Sequence, residues 1–234
     1  IGIGQFAHSM RRSVNMTYIV MNNGVYGLTK GQFSATADQG SKSKRGVVNA
    51  DAPVDLAALA LQLGATFVAR SFSGDKAQLI PLIEAALEHD GAAFIDVISP
   101  CVTFNNHVGS TKSYDYVREH NEAVNRIDFF VPGHEITADY ASGTLQEVIQ
   151  HDGSVLRLRK LDAEYDAHDR IGAMNHLQRH HALGEIVTGL LFIDPEPHDM
   201  HAHLNTVDTP LNLLDESALC PGAAALERIN AGLR

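Results

Sequence analysis

Cysteine is scarce in this chain. Cys101 and Cys220 are the only two among 234 residues, too few for a disulfide framework and better suited to a reducing compartment. Basic residues are also few, with 18 lysines and arginines against 28 acids and a formal charge of −10. That balance argues against a general affinity for nucleic acid phosphates or for an anionic membrane surface. No apolar run approaches the ~18 residues of a membrane-spanning helix, and the opening residues lack the features of a signal peptide. A cytoplasmic protein is expected. Repeats and low-complexity tracts are absent as well. What remains is 44% apolar residues with 19 glycines and 8 prolines, enough for one well-buried domain or one domain with an extension. The chain opens Ile1-Gly2-Ile3-Gly4 with no initiator methionine, as a processed chain or a piece of a longer polypeptide would.

Up to about Ser99 the periodicity alternates between helix and strand. Gly4 to Arg12 places Phe6, Ala7 and Met10 on one helical face, and Val14 to Met21 is a β-branched run of strand length ending at Asn22-Asn23-Gly24. Gly24 to Pro53 is polar and reads as a long loop, with Lys42, Lys44 and Arg45 as a basic spot that is either solvated or a docking point. Val54 to Leu63 and Asp75 to His89 read as helices, the second capped at Gly74-Asp75. Ala65 to Phe72 and Ala92 to Ile98 read as strands. This order implies an α/β fold, a parallel sheet with helices on both faces, and ligands beyond the carboxyl ends of the strands. Asn23 and Cys101 fall at such ends.

After Phe104 the character changes. Ser110 to Asn125 is polar and partly helical, and residues 144–161 resemble a hairpin turning at Asp152-Gly153. Met174 to Leu183 is a histidine-rich helix, Glu185 to Ile193 a strand, and the remainder a Pro-rich tail. The division expected is a domain over residues 1–130 and a C-terminal extension, containing the hairpin, over residues 131–234.

The stretch Val20 to Gln32, VMNNGVYGLTKGQ, carries the most chemical information. A buried strand ending in two asparagines offers an amide oxygen and main-chain oxygens at a sheet edge, and Mg²⁺ takes oxygen ligands while borrowing others from substrate phosphates. Thr29 and the amides near Gly27 are placed to donate to a diphosphate, and Lys30 adds a positive charge. Alone, Asn-Asn-Gly is an ordinary turn; with Tyr26 to Gln32 attached, the site reading gains weight from its context.

These residues resemble the closing half of the thiamine diphosphate signature, whose opening Gly-Asp-Gly half is absent and expected just upstream of Ile1. More closely, Tyr26-Gly27-Leu28-Thr29-Lys30-Gly31-Gln32, Gly64 to Arg70 and Gly91 to Asn105 resemble the β subunit of 2-oxoacid:ferredoxin oxidoreductases. The resemblance covers residues 1 to about 130 and implies a thiamine diphosphate-binding fold, truncated at its N-terminus. It further implies that Asn23 and the carbonyl of Val25 bind Mg²⁺, and that Tyr26, Gly27, Leu28 and Thr29 line the cofactor, with Leu28 beneath it. Lys30 would pair with a substrate carboxylate, favouring 2-oxoglutarate, and Cys101 would be a ligand of a [4Fe-4S] cluster in the intact subunit. The implied activity is oxidative decarboxylation of a 2-oxo acid to an acyl-coenzyme A, with electrons leaving through the cluster to ferredoxin and an α subunit completing the site. By itself this fragment is expected to be inactive. Two alternatives are a non-redox thiamine diphosphate decarboxylase or acetolactate synthase-like subunit, for which a thiolate at Cys101 would have no use, and a non-catalytic subunit that stabilises a partner.

Other motifs read more plainly. Cys220 is taken as structural. His198, His201 and His203, with His180-His181 nearby, invite a zinc reading, but their polar, Pro-flanked setting favours a solvated surface. Gly2-x-Gly4 lacks the third glycine and the preceding strand of a dinucleotide fingerprint.

Overall fold

Phe6 and Met10 recur four residues apart on Ile3–Arg11 (α1) and are both buried, as the apolar stripe of a core-facing helix should be. The apolar run after it forms Met16–Asn22 (β1). In the stretch expected to be loop throughout, Val25–Tyr26 (β2) and Gln32–Phe33 (β3) pair antiparallel. Leu56–Gln62 (α2) begins where Asp55 accepts the Ala58 N–H. Soon after its end comes Gly64 at φ +90°, a left-handed conformation that glycine adopts without steric cost. Phe67–Phe72 (β4), Lys76–Glu88 (α3) and Ala92–Ile98 (β5) follow, and Asp75 caps α3 by accepting the Gln78 N–H. The computed structural model describes residues 2–29, 31–41, 46–99, 136–149, 155–220 and 222–233.

Strands β1, β5 and β4 lie side by side and parallel. The sheet continues through Leu145–Ile149 (β6), Val155–Lys160 (β7) and Ile186–Ile193 (β8) in the order β1-β5-β4-β8-β7-β6. β8 runs antiparallel to β4 across a bulge at Val68/Ala69, β7 is parallel to β8, and β6 is antiparallel to β7. The sheet is therefore mixed, and the strands read above as part of an extension are built into it. The physical reason is that β8 is apolar toward both faces, with Val187, Leu191 and Phe192 buried, and such a strand is stable only with cover on each side. Residues 110–125 and the turn at Asp152-Gly153 lie outside the described residues.

One face of the sheet is covered by α1, α2 and Arg170–Ala182 (α4), packing Phe6, Met10, Leu61, Leu177 and Leu191 around Val68 and Phe94. Phe6 meets Tyr18 and Phe94 edge-on at 5.4 and 5.1 Å between ring centres, the arrangement ring quadrupoles favour. The other face packs α3, through Leu82 and Ala86, on Phe67, Ile95 and Val97. The helices thus occupy both faces, as expected. At the turn before α3 a Cβ on Gly74 would stand 2.0 Å from the Ile136 carbonyl oxygen, while the Gly74 carbonyl accepts the Ala138 N–H at 3.0 Å. Contacts divide the chain into Ile1–Met200 and His201–Arg234. The second unit holds Glu216–Leu219 and Ala223–Gly232, short helices with no buried residue. No helix among the described residues is long and apolar enough to cross a membrane.

Two ionic clusters tie these elements together. Arg70 of β4 donates to Asp96 of β5 at 2.8 Å and to Asp55 at the start of α2 at 2.5 Å. Glu185, just before β8, accepts from Arg159 of β7 and pairs with His180 of α4 at 2.8 Å. Replacing Arg70 with methionine leaves the buried Asp96 without its cation, so a loss of about 3–5 kcal/mol in unfolding free energy is expected by urea titration. Arg159 hydrogen bonds, against the opposing effect of burial and with help from His180, hold the Glu185 carboxyl at about 2 rather than its ordinary 4.5. A carboxyl depressed on folding contributes stability above its unfolded pKa and loses it as pH falls toward the folded one. The urea midpoint should therefore drop between about pH 4.5 and 2, and Glu185→Gln should flatten that part of the profile.

Candidate active-site loop

The three parallel strands end in line, since Val20, Asp96 and Arg70 are in register, as are Asn22, Ile98 and Phe72. Ligands of open α/β sheets bind beyond such carboxyl ends. Just inside this edge sits a buried polar network. Asp96, 1% exposed, uses one carboxylate oxygen for Arg70 and the other to accept the Asn22 side-chain N–H at 3.1 Å. The Asn22 amide oxygen in turn accepts the Thr36 hydroxyl at 2.7 Å. Burial pushes the Asp96 carboxyl up, and the Arg70 charge and the bonds from Arg70 and Asn22 oppose that rise without cancelling it. Burial acts the same way on Asp55, but there the Arg70 charge and the Ala58 amide prevail and the carboxyl lies below its usual range.

From Asn22 the chain turns outward. Asn23 is exposed and its side-chain oxygen accepts the Val25 N–H at 3.1 Å, a local turn that asparagine forms readily. Gly24 takes φ +69°, a conformation other residues adopt only at a cost, and its carbonyl accepts the Ser34 N–H at 3.0 Å. Val25 opposes Phe33 and Tyr26 opposes Gln32, and the Gly31 N–H closes the loop onto the Tyr26 carbonyl at 3.0 Å. Gly27, Leu28 and Thr29 therefore occupy the tip of a small hairpin. Leu28 is 99% exposed, and the Thr29 hydroxyl donates to the Gln32 side-chain oxygen at 2.6 Å. The rest of the loop is stapled by Asn49, buried, whose amide nitrogen donates to the carbonyls of Ala37, Asp38 and Asp51. Lys30, Lys42, Lys44, Arg45 and Cys101 lie outside the described residues.

The site residues named from the sequence thus split into neighbours on one loop, Asn23 through Thr29, and two, Lys30 and Cys101, that the structure does not describe. The donor set suits a hard divalent cation, because the exposed Asn23 oxygen has a lone pair beyond the one serving Val25 and the surrounding groups are peptide and hydroxyl oxygens. Sequence reasoning missed the supporting network of Arg70, Asp96, Asn22 and Thr36. The available signal was a single charge of each sign, Arg70 and Asp96, inside two otherwise apolar strands, since charges so placed are paired when buried. Elsewhere, His201, His203 and Cys220 are exposed, and His180 is engaged with Glu185.

Residues 1–97 match the model of the thiamine pyrophosphate enzyme C-terminal TPP binding domain. The chain is 45% identical over 118 residues to 2-oxoacid:ferredoxin oxidoreductase subunit beta of Saccharolobus solfataricus, covering 49% of this chain and 38% of that one. It is 31% identical over 206 residues to 2-oxoglutarate oxidoreductase subunit KorB of Mycobacterium tuberculosis, covering 76% of this chain and 53% of the relative. Among solved structures, 2-oxoglutarate:ferredoxin oxidoreductase from Magnetococcus marinus, with 2-oxoglutarate, coenzyme A and succinyl-CoA bound, superposes with a TM-score of 0.60 at 26% identity. That match covers 90% of this chain and 60% of the solved one. The chain spans roughly two fifths to three fifths of the length of these relatives. With residues 1–97 matching the thiamine pyrophosphate enzyme C-terminal domain and this set of relatives, the chain is a homologue of the 2-oxoacid:ferredoxin oxidoreductase β subunits.

Proposed function

We propose that this chain supplies the metal- and diphosphate-holding loop of a cytoplasmic 2-oxoacid:ferredoxin oxidoreductase. The reaction is the oxidative decarboxylation of a 2-oxo acid, 2-oxoglutarate in preference, to an acyl-coenzyme A and carbon dioxide, with the electrons delivered to ferredoxin and an α subunit completing the site. The observation that carries this reading is the loop from Asn22 to Thr36, anchored at both ends to a parallel-sheet edge, with Asn23 and Leu28 turned to solvent. The names of the relatives point to the same activity and, in several cases, to 2-oxoglutarate.

Thiamine diphosphate, when bound, supplies the electron sink that decarboxylation of a 2-oxo acid requires. The chain's own part is to hold and orient it. The Asn23 amide oxygen and the Val25 carbonyl would hold Mg²⁺, and the Thr29 hydroxyl, which here donates to Gln32, would be a donor to the diphosphate. The peptide groups of Tyr26 and Gly27 line the same cradle. Leu28 lends an apolar surface to the ring system, which explains an isobutyl group left entirely to water. Lys30 pairs with the distal carboxylate of the substrate as a point charge. A [4Fe-4S] cluster needs four protein ligands, commonly thiolates; this chain has Cys101 and Cys220 alone, so its own residues do not complete one.

In the full-length subunit purified with its co-expressed partner, replacing Asn23 with leucine should abolish Mg²⁺-dependent retention of thiamine diphosphate while leaving the circular dichroism of the cofactor-free protein unchanged. Retention at the wild-type level would remove Asn23 from the site. The same complex should reduce a low-potential dye in a coenzyme A-dependent manner, fastest with 2-oxoglutarate. Equal rates with pyruvate would overturn the role given to Lys30, and no reduction with any 2-oxo acid would overturn the proposed activity.

A further inference from the structure

We infer that the two adjacent asparagines divide the work, Asn23 facing the ligand and Asn22 serving as a latch, and that Thr36 is the positioning residue that closes the latch. This rests on the function proposed above and concerns how its loop is held. The hydrogen-bond directions are forced by the groups present. Asp96 is an acceptor when ionised, so the Asn22 amide nitrogen must face it, and the amide oxygen must then face Thr36, which removes the usual ambiguity of an asparagine side chain.

An amide oxygen has no proton to give, so the Thr36 hydroxyl donates its only one to Asn22. Thr36 can then only accept from the Ser34 hydroxyl, 2.8 Å away, while its own N–H donates to the Ser34 oxygen at 3.1 Å. The result is one directed chain from Ser34 through Thr36 and Asn22 to the Asp96 carboxylate, which Arg70 fixes from its other side at 2.8 Å. Chains of this kind strengthen one another in a low-dielectric setting.

The consequence for the ligand-facing residue is geometric. Asn22 is tied through its side chain to Thr36, and Gly24 through its carbonyl to the Ser34 N–H at 3.0 Å. Asn23 is the single residue between these two anchors. Its side chain is aimed by its flanks, and both flanks are held by the same short segment, Ser34 to Thr36. A threonine hydroxyl that never touches the metal or the diphosphate therefore sets how well the Asn23 oxygen is placed for them.

The test uses the full-length subunit with its co-expressed partner and measures Mg²⁺–thiamine diphosphate binding by isothermal titration calorimetry, alongside the melting temperature without ligand. Thr36→Val keeps the shape and deletes the proton, so Asn23 loses one of its two flanking anchors and binding should weaken by about tenfold, the scale of one lost hydrogen bond. The ligand-free melting temperature should fall by only about 2–4 °C, the effect of one lost hydrogen bond in a chain of this size, and Thr36→Ser should restore binding to within about twofold because it keeps the hydroxyl. Ser34→Ala, a milder change in the half-exposed loop, should weaken binding in the same direction by about threefold, in keeping with a bond that only supports the latch. This variant decides the matter if Thr36→Val does not fold. Wild-type affinity in Thr36→Val, or in Ser34→Ala where Thr36→Val is unfolded, overturns the latch, as does a Thr36→Ser protein as weak as Thr36→Val. Asn23→Leu in the same titration separates the two levels. Loss in Asn23→Leu with none in Thr36→Val sinks the latch alone, whereas full affinity in Asn23→Leu sinks the function on which it rests.

Discussion

The arrangement of this protein turns on one guanidinium. Arg70 stands inside an apolar strand and divides its donors between Asp96 on the neighbouring strand and Asp55 at the start of α2. Two carboxylates and one cation leave a net negative charge, tolerable because every member is hydrogen-bonded and because Asp55, at the rim of the cluster, keeps part of its side chain in water. Through Asp55 the cluster fixes where α2 begins, and through Asp96 it fixes the Asn22 side chain. A structural ion pair and a candidate binding loop therefore share one set of atoms. Packing alone would hold β4 and β5 together, but it would give no reason for Asn22 to face in one direction.

The Asn-Asn-Gly run shows how a short motif separates into unlike roles once a sheet edge is present. In a strand, neighbouring side chains take opposite sides. The last strand residue keeps its amide among buried partners, and the next, beyond the ladder, turns outward. The glycine after them takes the left-handed conformation that lets the chain double back into the β2–β3 hairpin. That hairpin brings Leu28 and Thr29 to a tip while Ser34 and Thr36 return beneath the strand end. The sequence from Val20 to Thr36 is thus one folded unit, even though most of it lacks regular periodicity.

Much of this architecture was legible in the residues. Period and capping placed α1, α2, α3 and the strands β1, β4 and β5 to within a few positions, because Gly64 and Asp75 are strong punctuation. The hairpin β6–β7 and the strand β8 were legible too. What could not be read was their attachment. An apolar strand such as Ile186–Ile193 announces that it will be buried on both faces, yet carries nothing that names β4 as its neighbour or sets its direction against it. The candidate loop was visible through Asn23 to Thr29, whose chemistry is local. Its support was less visible, because Arg70, Asp96 and Thr36 are separated by 26 to 60 positions and meet only through strand register. A lone arginine and a lone aspartate in two apolar strands were the trace of that meeting.

The turn before α3 has a different kind of significance. There the chain near Ile136 lies directly against the backbone of Gly74, and peptide groups meet with no side chain between them. The joint itself is made by main-chain atoms, while Ile136 and Ala138 on its far side pack their side chains into the cluster around Phe72. Position 74 therefore has no room to gain a carbon, being closed off by the Ile136 carbonyl on one side and the Phe72 ring on the other, and a full map of tolerated substitutions would show that column empty.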